Sequence, residues 1–251
     1  MKFSIIIPSY NQDKFIEKTL QNVRKIKDLA IKRDLRVECL LFDSESNEKT
    51  LSIINNYKSM FEILEIKKDD GQADAINKGV DKMSGDYWTW LNTDDLLDSD
   101  GFFKLADEIK ANNMPDYIYG DVKLIDDEGK NIGIAGSGMI TCDKLVNKDA
   151  SISQPGSFFK TSFTRSIGKL SDYKFAFDYE YVLRTIKENG RIVKLPFVVS
   201  QFRYYKHSKS GSKSPLFLIE QAKISKLYGR KFFSTLTFKL YIRILKRKLF
   251  N

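Results

Sequence analysis

Apolar positions recur in two alternating rhythms along the first hundred residues. Phe3-Ser4-Ile5-Ile6-Ile7-Pro8 is a β-branched run ended by proline, the pattern of a buried parallel strand. Over residues 14–27 the spacing becomes helical, with Phe15, Ile16, Leu20, Val23 and Ile26 recurring every three or four positions. Residues 37–42 predict a second strand, stopped by Asp43-Ser44-Glu45-Ser46, and residues 49–57 a second helix. Residues 61–66, 72–83 and 87–91 continue as strand, helix and strand, the last broken by Asn92-Thr93-Asp94-Asp95. This alternation predicts an α/β domain, Rossmann-like, with a mostly parallel sheet flanked by helices. Such a sheet gathers ligands at the carboxyl ends of its strands.

Beyond residue 100 the pattern is less regular. Residues 101–112 predict a helix, 116–125 a strand, Asp127-Glu128-Gly129-Lys130 a hairpin turn, 177–189 a helix with Gly190 as its C-cap, and 191–199 a strand. Glycines at 133, 136 and 138 suggest a mobile or tightly bent connection, and residues 208–214 a polar, basic loop. No linker divides the chain before about residue 215. Residues 1–215 are therefore expected to form one domain, and 216–251 a basic amphipathic helical tail.

Composition narrows the class. The 251 residues, 42% hydrophobic and 30% charged, are ample for one folded core. Two cysteines, Cys39 and Cys142, give neither a disulfide framework nor a zinc spacing, so a reducing compartment is expected. There is no secretory leader pattern and no apolar run near the roughly 18 residues of a membrane span. The expected location is therefore cytoplasmic. The formal net charge is +9, and after Glu220 the chain carries nine basic residues and no acidic one. The remainder is neutral, which argues against nucleic acid as a partner and directs attention to a membrane surface.

Three polar clusters follow strands directly: Ser9-Tyr10-Asn11-Gln12, residues 43–47 and residues 92–95. In a parallel sheet they share one edge. Tyr10 offers an aromatic face, Asp43 a carboxylate for a base N–H or ribose hydroxyl, and Asp94 and Asp95 hard oxygens suited to Mg²⁺ or Mn²⁺. No GxxxxGK[ST] or GxGxxG loop occurs, so a metal would have to neutralise a bound diphosphate. Plainer readings stand beside these: Asp94-Asp95 as a helix N-cap, Asp43-Ser44 as a turn, Tyr10-Asn11 as a cap for the first helix.

The ordered set of short motifs resembles the family 2 glycosyltransferases, which have the GT-A fold. It comprises Ser4-Ile5-Ile6-Ile7-Pro8-Ser9-Tyr10-Asn11, Phe42-Asp43-Ser44-Glu45-Ser46, residues 70–79 (DGQADAINKG) and Trp90-Leu91-Asn92-Thr93-Asp94-Asp95. Gln154-Pro155, Phe177-Asp178-Tyr179-Glu180 and Phe202-Arg203-Tyr204 with His207 follow. The resemblance implies that Pro8, Tyr10 and Asp43, with Asn11 beside them, line a nucleoside pocket, and that Asp70 and Asp74 lie near base and ribose. It implies that Asp94 and Asp95 meet ribose and metal, with His207 closing over the diphosphate as a further ligand. Asp178 would be the catalytic base, and Gln154 and Pro155 would contact the acceptor. Two departures stand out: Asn92 opens the DxD-type motif in place of Asp, and Ser44 replaces a common second Asp or Gly. Helix capping by Asp178, a surface His207 and a turn at Gln154-Pro155 are the ordinary alternatives.

The expected function is an inverting, Mn²⁺- or Mg²⁺-dependent glycosyltransferase of hexosyltransferase type. It would move a sugar from a nucleoside diphosphate sugar to a hydroxyl of a glycan or lipid-linked acceptor, in surface polysaccharide or lipopolysaccharide synthesis. The competing readings are an inactive nucleotide-binding or membrane-associated module of the same fold and, lower, a nucleotidyltransferase, whose Gly-rich, Arg/Lys-bearing first loop is replaced here by Ser9-Tyr10-Asn11-Gln12. From Phe232 onwards, Phe238, Tyr241, Ile242, Leu245 and Leu249 share one helical face among lysines and arginines. That face suits an anionic bilayer on the inner side of the cell membrane, or packing against the catalytic domain or a second copy.

Overall fold

The computed structural model describes residues 1–249 except 137, 150, 153 and 206–214; the side chains of 215 and 243–249 are not described. Strand β1 (Lys2–Ser9), helix α1 (Ile16–Ile31), β2 (Arg36–Asp43), α2 (Glu48–Asn56), β3 (Ile63–Ile66), α3 (Gln72–Lys82) and β4 (Tyr87–Trp90) follow the predicted alternation. Then come β5 (Leu96–Leu97), α4 (Ser99–Ala111), β6 (Tyr117–Ile125), β7 (Asn131–Ala135), β8 (Ser157–Lys160), α5 (Thr161–Ile167), α6 (Phe177–Lys187) and β9 (Ile192–Arg203). The chain closes with α7 (Pro215–Leu227) and α8 (Thr235–Leu249).

One sheet runs through the molecule in the order β3-β2-β1-β4-β8-β6-β9-β5, with β7 paired to β6. Its first half, β3 to β4, is parallel throughout. From β8 onwards the sheet is mixed: β8 is antiparallel to both β4 and β6, β6 is parallel to β9, and the short β5 pairs antiparallel with the end of β9. The expected parallel arrangement thus holds for the half that carries the first three polar clusters, and the other half departs from it.

Strand β1 shows why its run is apolar on both faces. Phe3, Ile5 and Ile7 enter a core with Ile16, Leu20 and Val23 of α1 and Phe102 of α4. Ile6 points the other way, into a core with Ile76 of α3 and Tyr179 and Leu183 of α6. Side chains alternate across a strand, so a sheet covered by helices on both sides needs apolar residues at every position. Helix α3 lies close on that second face: a Cβ at Gly79 would come within 2.6 Å of the Ile6 side chain, so only glycine permits this approach.

The tail differs from a free appendage. Ile224 of α7 is fully buried in the second core, and Leu236 and Leu240 of α8 pack on Leu218. The Glu220 carboxylate accepts from the backbone N–H groups of Lys174, Phe175 and Ala176, at 2.9 to 3.0 Å, immediately before α6. Leu236 and Leu240 turn inward, while Phe238 and Tyr241 of the expected apolar face are 65% and 62% exposed. No helix among the described residues is long and apolar enough to cross a membrane.

Candidate active site

Because β1, β2 and β4 run parallel, with Ser9 opposite Asp43 and Ile6 opposite Trp90, the chain leaves all three on one edge. A cavity of about 680 Å³ opens there. Pro8, Ser9, Tyr10 and Gln12 line it from the first strand end, and Ser44 and Glu45 from the second. Asn92, Thr93 and Asp94 come from the fourth, with Lys68, Gly71 and Gln72 from the approach to α3 and Phe202 and Tyr205 from the far side.

Local hydrogen bonds explain which residues face this cavity. The Asp43 carboxylate is buried and accepts from both the backbone N–H and the hydroxyl of Ser46, at 2.8 and 2.6 Å. The Ser46 hydroxyl in turn accepts from the Asn11 N–H, and the Asn11 side-chain oxygen accepts from the Asn47 N–H, both at 2.8 Å. Asn11 sits in the left-handed region at φ 49°, which asparagine tolerates better than most residues. Asn11 and Asp43 therefore clamp the first two loops together, and Ser44 and Glu45 reach the cavity wall in their place. Asp70 and Asp74 also lie off the wall. Asp74 accepts from the Asp70 N–H and pairs with Lys78 at 3.1 Å, whereas Asp69 lines the cavity.

The acidic pair divides in the same way. Asp95 is fully buried; one carboxylate oxygen accepts from the Arg203 N–H and the other from the Asn92 side chain, both at 3.0 Å. Burial, followed by the neighbouring negative charge of Asp94, holds its carboxyl well above the usual range. Asp94 is half-buried, lines the cavity and accepts from the Tyr205 hydroxyl at 3.1 Å. Asp95 as a direct metal ligand is thus at odds with its closed surroundings. Neither aspartate caps α4, since Asp98 does so by accepting from the Gly101 N–H.

Arg203 locks this loop from behind. It is 1% exposed, donates to the backbone oxygens of Asp94 and Asp126 at 3.0 and 2.8 Å, and lies over the Phe15 ring. Gln72 donates to the Asn92 side-chain oxygen, and the Thr19 hydroxyl lies 2.9 Å from the carbonyl oxygens of both Thr93 and Asp95. Burial and the adjacent Asp94 carboxylate push the Tyr205 hydroxyl well above the usual phenol range, so it stays a proton donor.

A second cavity, about 460 Å³, adjoins the first across Gln72, Asn92 and Phe202, which line both. Asp178 lines it from the first turn of α6, where its carboxylate accepts from the Tyr179 N–H at 2.7 Å. Gln154 and Pro155 line it too, and the Gln154 amide donates to the Trp90 backbone oxygen at 3.1 Å. Phe217 and Gln221 of α7 and Leu236 and Lys239 of α8 complete the wall. The sequence reading attached no role to Gln72, Tyr205 or Gln221, and counted Lys239 only among the basic residues of the tail helix. Gln72 and Arg203 lay within quoted motifs, but only the fold reveals what they grip. His207 lies outside the described residues.

Among the described residues no group of three His, Cys, Asp or Glu side chains converges as a ready-made metal cage. Asp94 nonetheless suits the mode in which Mg²⁺ or Mn²⁺ takes one or two carboxylates and completes its shell with substrate phosphates and water.

A parallel nucleotide-type half-sheet continued by a mixed half, with paired cavities at the strand ends, is the GT-A architecture. The sequence pattern of the family described as Glycosyl transferase family 2 matches residues 4–170, and the chain belongs to that family. A PGL/p-HBAD biosynthesis glycosyltransferase of Mycobacterium bovis is 27% identical over 202 residues, covering 78% of this chain and 74% of the relative. The GalNAc(5)-diNAcBac-PP-undecaprenol beta-1,3-glucosyltransferase of Campylobacter jejuni is 25% identical over 212 residues, covering 82% and 64%. The S. aureus TarS 1-349 structure in complex with UDP-GlcNAc superposes with a TM-score of 0.71 at 18% identity, covering 91% of this chain and 65% of TarS 1-349. The mannosyltransferase PcManGT of Pyrobaculum calidifontis, in complex with GDP-Man and Mn²⁺, gives 0.65 at 17% identity, covering 95% and 69%. The chain thus spans about two thirds of the length of these solved structures.

Proposed function

We propose that the protein transfers one sugar from a nucleoside diphosphate sugar to a hydroxyl of a glycan or lipid-linked acceptor, with inversion at the anomeric carbon. The observation that carries this reading is the junction of the two cavities: Asp94 lines one, Asp178 the other, and Gln72, Asn92 and Phe202 belong to both. A donor in the first cavity would present its anomeric carbon at that junction. Relatives named for nucleotide-sugar complexes and for an undecaprenol-linked acceptor support the substrate classes.

Each chemical role falls to a placed residue. Tyr10, 61% exposed at the cavity wall, offers its ring to the base, with Pro8 beside it. Asp94 would hold Mn²⁺ or Mg²⁺; once bound, the ion offsets charge on the departing diphosphate. Asp95 and Arg203 are positioning residues that fix the loop presenting Asp94. Asp178 takes the proton of the acceptor hydroxyl as that oxygen bonds to the anomeric carbon and the bond to the diphosphate oxygen breaks on the opposite face.

Residues 1–215 would then carry donor binding and the base, while 216–251 completes the acceptor wall and meets the membrane. Phe232 and Phe233 are 81% and 93% exposed beside Arg230 and Lys231, an aromatic and basic surface suited to anionic headgroups on the cytoplasmic face. Replacing both phenylalanines by serine should lower co-sedimentation with phosphatidylglycerol vesicles, and unchanged sedimentation would remove that surface from the account.

The function itself is tested by a thermal-shift screen with UDP, GDP, dTDP and CMP, each with Mn²⁺ and with EDTA. A nucleoside diphosphate that stabilises only with metal is expected and would name the donor class. A screen with no metal-dependent shift would favour the inactive module.

A further inference from the structure

One residue in the wall of the second cavity carries a buried polar atom that the fold leaves without a partner. Gln221 lines it from α7, is 4% exposed, and its side-chain oxygen is buried with no hydrogen-bond partner. Unpaired buried amides cost stability, because the group leaves water and gains nothing in return. A leucine would fill similar space without that cost. On the walls of these two cavities the other such atom is the Ser9 hydroxyl, and its residue lines the first.

Gln221 is also held rigidly relative to Asp178. Its neighbour Glu220 binds three successive backbone N–H groups, residues 174–176, directly ahead of α6. Asp178 lies two residues further, in the first turn of that helix. On the other side, Ile224 and Ser225 are fully buried, and the Tyr228 hydroxyl donates to Glu180 of α6 at 2.7 Å. The amide and the carboxylate thus sit on two helices tied at both ends. A binding group held this way loses little freedom when it meets its ligand.

From this placement we infer that Gln221 is an acceptor-binding residue: its terminal amide turns towards the cavity and its oxygen accepts a hydrogen bond from a hydroxyl of the acceptor sugar, so that the C-terminal segment takes part in acceptor selection. The inference rests on the second cavity being the acceptor side. A polyhydroxylated ring suits the site, since it brings O–H donors to a lone acceptor and an apolar face to Phe217 and Leu236 across the same wall.

The test compares the full chain with Gln221→Leu, using octyl β-glucoside, octyl β-galactoside and octyl β-N-acetylglucosaminide below their micellar concentrations, by saturation-transfer NMR in the presence of UDP or GDP with Mn²⁺. The wild type is expected to bind at least one of them and the variant to bind it about tenfold more weakly, as for one lost hydrogen bond in a closed site. The variant should keep its nucleotide affinity and melt at the same temperature or higher. Should leucine lower the melting temperature, Gln221→Met, closer in length, serves for the same comparison. Equal glycoside binding by wild type and variant overturns the inference. A wild type that takes the nucleoside diphosphate but none of the glycosides overturns the acceptor reading of the cavity, and the inference with it. Failure to take any nucleoside diphosphate instead counts against the donor reading.

Discussion

The two cavities are built by opposite means. The first is made almost entirely where parallel strands end: seven of its fifteen lining residues belong to the three segments that follow β1, β2 and β4, and Pro8 and Ser9 are the last two residues of β1 itself. The second draws on β4, β6, the turn at 154–156, α6, and helices α7 and α8 near the end of the chain. A strand end is a local event, with an apolar run stopped by polar residues, and it places its side chains without help from distant chain. A wall assembled from so many remote segments depends on how helices dock. On the proposed assignment, the donor side is built by local chain and the acceptor side by docking of distant elements, which leaves the acceptor side freer to vary.

The difference between the cavities is sharpened most by Asp178→Asn. Loss of the proposed base should slow transfer about a thousandfold while nucleotide binding in the first cavity is unchanged, read as product formation against a titration with the nucleoside diphosphate. Equal loss of both would mean that the cavities are one site. Arg203→Met comes next. It removes buried bonds to the Asp94 and Asp126 carbonyls and should cost about 3 kcal/mol in urea unfolding, together with weaker donor binding. A variant that is destabilised with intact donor affinity would show that the loop keeps its shape alone.

The smallest expected effect lies away from both cavities, at the opposite end of β2. Burial would raise the Glu38 carboxyl, but hydrogen bonds from Lys2, Ser4 and Ser84 outweigh it and hold it at about 2. Its folded value is below the unfolded one of 4.5, so its contribution is present above pH 4.5 and is lost as pH falls towards 2. Discounted for solvent at the Lys2 end, that is about 2 kcal/mol. Glu38→Gln should be less stable at pH 7 and should show a shallower acid loss between those values, while nucleotide binding at pH 7 stays unchanged.

Much of the first half was legible in the sequence because period and burial agree there. The residues of β1, α1, β2 and α3 each show one rhythm over a full element. What stayed hidden has specific causes. The two residues of β5 are too few to show a period, and β8, Ser157–Lys160, reads Ser-Phe-Phe-Lys with no alternation. The predicted C-cap at Gly190 falls one residue late: Asn189 takes the left-handed turn at φ 57°, while the Gly190 N–H closes on Thr185. Helix α7 carries apolar residues around much of its circumference, so it shows little of the one-sided pattern that marks a surface helix.

Within the candidate site, the sequence located each cluster but not its direction. Asp43 against Ser44, Asp70 against Asp69 and Asp95 against Asp94 are one-residue questions about which side chain turns towards the cavity. They were decided by Ser46, by the Asp70–Asp74–Lys78 contacts and by Arg203, each fixed through local or long-range hydrogen bonds rather than periodicity.

The most direct measurement is calorimetric titration of Asp94→Ala and Asp178→Asn with the nucleoside diphosphate that the wild type binds, with Mn²⁺ and with EDTA. The account predicts that Asp94→Ala loses the metal-dependent part of its affinity, whereas Asp178→Asn binds as the wild type does. Metal-dependent binding retained by Asp94→Ala, or lost in Asp178→Asn, would contradict the assignment of donor and acceptor to the two cavities.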